Sequence, residues 1–119
     1  MKQESFAMSM LLDYYGALLT QKQKAYFDLY YNQDLSLAEI AEQEGISRQG
    51  VHDAISRAET LLREMEQATG CVARSQALRR VLAQIEAEAS ALEASTDTAV
   101  RQHAEVILGL VRKGVAYGI

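Results

Sequence analysis

A chain of 119 residues and 13.2 kDa fits one domain of ordinary size, long enough to bury a core without covalent staples. The single cysteine, Cys71, leaves no disulfide framework and no CxxC-type zinc site, and no apolar run approaches the roughly 18 residues of a membrane span. Charged residues make up 24% with a net charge of −4, a globular composition that excludes a strongly basic nucleic-acid packer.

The chain has no proline, so nothing forbids helix almost throughout, and an all-α fold is expected. Six helices can be read in order. The first, about Ser5 to Tyr15, carries Phe6, Met10, Leu11 and Tyr14 as an apolar stripe and stops at Gly16. Thr20 with Gln23 makes a capping box for a second, about Gln21 to Tyr31, whose apolar content is Tyr26, Phe27, Leu29 and Tyr30; Asn32 to Asp34 breaks it. Ser36 with Glu39 caps a short third helix that Gly45 ends. Ser47 caps a long fourth, with Val51, Ile55, Ala58, Leu62 and Met65 stepping by four and three, closed by Ala68, Thr69 and Gly70. A fifth repeats the rhythm in Leu78, Leu82, Ile85, Ala89 and Leu92. Ser95, Thr96 and Asp97 cap a sixth, which carries Val100, Ala104, Ile107 and Val111, and Gly114 and Gly118 imply a loosely held end. The last three helices offer seams for a hairpin or for a dimer.

Residues 36–58, SLAEIAEQEGISRQGVHDAISRA, meet the steric demands of a helix-turn-helix. Ala41 is small where two helices cross, and Gly45 tolerates the left-handed turn conformation. Ile40, Ile46, Val51 and Ile55 are placed to plug the angle between the helices, and Ser47, Arg48, Gln49 and His52 give the second helix a cap and a polar outer face. The charge runs unevenly: −4 over residues 1–46, +2 over 47–85 and −2 over 86–119. Only the middle third can attract a polyanion.

The blocks QKQKAYFDLYY, DLSLAEIAE and SRQGVHDAI, with the N-terminal DYYG, resemble the YlxM family of small bacterial proteins. More distantly they are similar to region 4 of sigma factors. The match covers about the first half of the chain and stops near Gly70. It implies a sigma region 4-like helix-turn-helix core over residues 1–70; residues 71–119 match no such pattern and read from their apolar seams as a helical C-terminal extension for packing or dimerisation. It also implies a DNA-binding, regulatory or accessory role in the signal recognition particle pathway. The partners then implied are DNA or that particle's RNA, and its protein component.

If the fourth helix enters a major groove, its first turns meet the bases. Arg48 would fork onto guanine or hold a phosphate, and Gln49 would pair with adenine; His52 and Ser56 lie on the same side, and Ser47 and Arg57 complete that surface. Lys22 and Lys24 open the second helix where sigma-like domains grip the backbone. For each, the plain alternative is a solvated helix residue. Gly50 either admits close approach of a partner or is drift, and Asp53 and Glu59 oppose phosphate binding by repulsion. Arg74, Arg79 and Arg80 would hold RNA or an acidic partner, or simply solvate the fifth helix. Seven of eight aromatics lie before residue 32 at core-like spacing, and Cys71 reads as a small core residue. His52 and His103 lack further ligands at metal-binding spacing, so no metal or other cofactor is expected. With no phosphate loop, nucleophile elbow or HExxH, no enzyme is expected either. Few cysteines and no secretory leader point to the cytoplasm, and nothing points to a membrane. The alternative function is a helical adaptor binding a protein, such as the targeting particle's GTPase, through the helices after Gly70. A homodimer is a further expectation from the seams.

Overall fold

Capping chemistry fixes where the helices begin and end in the computed structural model, which describes residues 5–116. Thr20 Oγ1 accepts from the Gln23 amide while Gln23 Oε1 accepts from the Thr20 amide, and Ser36 and Glu39 do the same sixteen residues on. Ser47 Oγ accepts from the Gly50 amide at 3.0 Å, and Asp97 Oδ1 from the amides of Ala99 and Val100. The resulting elements are α1 (Ser5–Tyr15), a 3₁₀ turn (Gly16–Leu18), α2 (Gln21–Tyr31), α3 (Leu37–Glu44), α4 (Arg48–Thr69), α5 (Cys71–Leu92) and α6 (Thr98–Ala116). No strand occurs among the described residues, and the protein is all-α. Nor is any described helix long and apolar enough to cross a membrane.

The stops are left-handed. Gly45 has φ of 69° and Gly70 of 62°, and Asp34 takes 60° in the break after α2. At the first of these, the amides of Gly45 and Ile46 both return to the Ala41 carbonyl, which satisfies the end of α3 while the chain turns into α4.

The chain divides into two units, residues through Val72 and residues from Ala73. In the first, α4 packs against α1, α2 and α3, and α2 also touches α1 and α3. Phe27, Ile40, Val51, Ala58 and Leu62 are fully buried at its centre. Around them stand Tyr26, Tyr30 and Tyr31, with the rings of Phe27 and Tyr31 4.6 Å apart and Tyr30 edge-on to Tyr31 at 5.0 Å. The spacing of Val51, Ile55, Ala58 and Leu62 thus marks the inner face of α4; Met65 and Cys71 are half-buried against the same core.

Two expectations are corrected, and one is left open. In α1 the core face is Met8, Leu11, Leu12 and Tyr15, whereas Phe6 is 74% exposed and Tyr14 faces solvent. The helix is apolar on two sides, and contact with α2 and α4 selects between them. Ile46 does not plug the inter-helix angle: it is 39% exposed, its Cδ1 lying 3.7 Å from where a Gly50 Cβ would stand. The seam on α5 is largely open, because Ala89 alone of its members is buried while Leu78, Ile85 and Leu92 face solvent. Within the second unit α6 lies beside α5, burying Ala104, Leu108 and Val111 and bringing Ile107 to the groove that Val81 and Ile85 line. The sixth helix continues through Gly114 to Ala116, and Gly118 lies outside the described residues.

Candidate nucleic-acid interface

Because Gly45 breaks the chain between α3 and α4, the first turns of both helices open on the same side of the molecule. A hollow of about 590 Å³ is lined by Ser36, Leu37 and Ala38 from α3 and its cap, and by Arg48, Gln49 and His52 from α4. Arg48, Gln49 and His52 are all exposed. The amides of a helix's first turn carry partial positive charge, so two such turns beside an arginine favour anionic groups.

Two carboxylates oppose that: Glu39 in the first turn of α3, which accepts from the Ser36 amide, and Asp53 on α4, which its neighbours hold. The Gln49 side-chain amide donates to Asp53 Oδ1 at 2.8 Å, and His52 Nδ1 lies 3.5 Å from the same oxygen. The Gln49 bond first and the His52 bond second keep the Asp53 carboxyl below the usual carboxylate range, with Arg57 one turn on adding to the effect. The Gln49 side-chain amide is therefore engaged within α4. Glu59 keeps its charge and is held away from α3. It accepts a hydrogen bond from the Tyr31 hydroxyl, which draws it toward α2.

The remaining candidates are spread out. Ser47 spends its side chain on the cap, and the Ser47 Oγ would lie only 3.2 Å from a Cβ at Gly50, which accounts for the glycine locally. Ser56 is half-buried and with Arg57 lines a separate shallow hollow beside Thr60, Leu61 and Glu64. Lys24 lines a third with Leu12 and Asp28, its Cε 3.5 Å from the Cβ position of Gly16, and Lys22 is exposed on the first turn of α2. Arg48, Gln49 and His52 are thus the members brought together. Ser36 and Ala38 join them although the sequence shows Ser36 only as a cap; the available signal was that a helix-turn-helix places the starts of its two helices side by side. No group of three or more potential metal ligands occurs among the described residues.

Fold and site together define a helix-turn-helix protein. The chain matches the UPF0122 family, described as "Putative helix-turn-helix protein, YlxM / p13 like", over residues 2–101, and it belongs to that family. A UPF0122 protein of Desulforamulus reducens is 48% identical over 60% of this chain and 61% of its own length, and one from Clostridium kluyveri is 60% identical over 50% and 54%. One from Bacillus cereus strain AH187 is 44% identical over 71% of this chain and 77% of its own. The chain therefore spans somewhat over half the length of the first two relatives.

Proposed function

We propose that this chain binds nucleic acid through the start of α4, acting as a regulatory or accessory factor rather than as an enzyme. The observation that carries the reading is the shared hollow, where the exposed Arg48, Gln49 and His52 meet the first turn of α3 beneath a left-handed Gly45. Arg48 forks onto guanine or holds a phosphate, and Lys22, Lys24 and Arg57 contact the backbone further out. Affinity is modest, since the molecule carries −4 overall and Asp53 sits beside the contacting residues. The likeness to the YlxM family supports a cytoplasmic role beside the signal recognition particle pathway, with DNA or that particle's RNA as the nucleic acid. Replacing Arg48 and Gln49 together with alanine tests the site. Helix content stays as it was and nucleic acid no longer co-purifies in a nuclease-controlled native pull-down. Retained binding moves the contact elsewhere, first to Arg74, Arg79 and Arg80.

A second reading, a helical adaptor for a protein such as the targeting particle's GTPase, is favoured by the exposed apolar side chains of α5 and α6. Salt separates the two, because counterion release makes nucleic-acid affinity fall with ionic strength whereas an apolar helix interface changes little.

A further inference from the structure

His52 stands in the shared hollow with its two ring nitrogens differently placed. Nδ1 lies 3.5 Å from Asp53 Oδ1, and the same oxygen accepts the Gln49 side-chain amide at 2.8 Å. An ionised carboxylate only accepts, so the hydrogen of a neutral imidazole belongs on Nδ1, and Nε2 is left with a lone pair. The His52 and Asp53 side chains are each 53% exposed, so a ligand in the hollow can reach the ring. The described lining on the α3 side is Ser36, Leu37 and Ala38, none of them titratable. The charged groups to reckon with are Arg48, Asp53 and Arg57 on α4, and Glu39 in the first turn of α3, which accepts from the Ser36 amide.

A neutral ring held in this way has no hydrogen for a nucleic acid. Phosphate oxygens accept and do not donate, as do guanine N7 and O6 in the major groove, and a lone pair turned on them repels. A proton added at Nε2 makes that atom a donor, gives the ring a positive charge and leaves the Nδ1 contact with Asp53 in place. A phosphate beside the ring stabilises the imidazolium in return, so ligand and proton favour one another. We propose that nucleic-acid binding at the start of α4 is proton-linked, His52 taking a proton from solvent at Nε2 and donating it in a hydrogen bond to a phosphate or guanine acceptor. The inference rests on the start of α4 being the nucleic-acid interface. Asp53 is held below the usual carboxylate range by the Gln49 and His52 bonds, so it stays ionised near neutral pH and the change there belongs to the imidazole.

The chain has two histidines, and the second, His103, lies on α6 in the other unit. Fluorescence anisotropy of a labelled duplex with the full chain, DNA and RNA in separate arms, tests the linkage at fixed salt from about pH 8 to about pH 6. Affinity should rise about tenfold as pH falls across that range, with log affinity never steeper than one proton per pH unit. His52→Gln flattens the dependence, and His103→Gln keeps it. His52→Lys, a donor charged throughout the range, binds at the upper pH about as tightly as the parent does at the lower. Affinity that does not change with pH overturns the linkage and leaves the interface standing. So does a pH dependence that survives His52→Gln or His52→Lys, or one that His103→Gln abolishes. No binding in either arm at any pH removes the interface itself, and the linkage with it.

Discussion

At Gly45 no atom lies within 4 Å of a would-be Cβ, yet φ is 69°. Any cost of a side chain there is backbone strain and not crowding. Gly45→Ala should lower stability by about 1 kcal/mol, seen as a lower urea midpoint at unchanged slope, with Gly45→Asn costing less. Asp53 gives a second residue-scale outcome. Since hydrogen bonds from Gln49 and His52 depress its pKa, the stability they confer is present above the ordinary carboxylate range and is lost as pH falls through the lowered value. Asp53→Asn removes a negative charge from the turn that carries Gln49 and His52 and leaves only a neutral acceptor for Gln49, so it should tighten nucleic-acid binding, measured by fluorescence anisotropy at fixed salt. What was legible at this scale is what depends on neighbours in the chain, namely Thr20, Ser36, Ser47, Gly45 and Gly70. Long-range partners were not. Nothing in the sequence shows that Tyr31 reaches Glu59 from 28 residues away.

Two elements are tied to α4 by tyrosine hydroxyls. Tyr15 on α1 bonds Glu66 at 2.6 Å and lies 2.5 Å from the Thr69 hydroxyl, and Tyr31 on α2 bonds Glu59. Burial, then the adjacent glutamate in each case, raises the pKa of both phenols above the ordinary value near 10. A raised pKa favours the protonated phenol in the folded state. The stability it contributes is complete below pH 10 and disappears as pH rises through the folded value. Alkaline unfolding followed by circular dichroism should therefore begin above about pH 10. Tyr31→Phe should flatten that dependence and cost about 1 kcal/mol at neutral pH. Deeper in the same unit, Leu62→Ala opens a cavity where α4 faces the core, and a loss of about 3 kcal/mol is expected in urea. Periodicity placed all six helices, and on α4 it also found the buried face. It failed on α1, where Phe6, Met10 and Tyr14 compete with Met8, Leu12 and Tyr15, because a helix apolar on two sides does not say which side its neighbours take.

Across the whole molecule, the two units divide the sequence information unequally. Residues through Val72 carry a closed core, readable because caps, glycines and apolar steps there agree with one another, and the shared hollow, of which the sequence showed the α4 residues but not the α3 side. Past Ala73 the seam on α5 was equally regular, but regularity alone does not say what covers it, and one adjacent helix leaves most of it in water. Charge does not follow that division: the attractive stretch, residues 47–85, straddles the boundary at Val72 and is set between acidic flanks. Titrating labelled duplex DNA with the full chain, from roughly 50 to 200 mM salt, measures that balance. If Lys22, Lys24, Arg48 and Arg57 supply the phosphate contacts, log affinity falls against log salt with a slope no steeper than about −3.6, and Arg48→Ala makes it shallower by about 1. Affinity independent of salt, or a slope that Arg48→Ala leaves unchanged, contradicts a nucleic-acid interface at the start of α4.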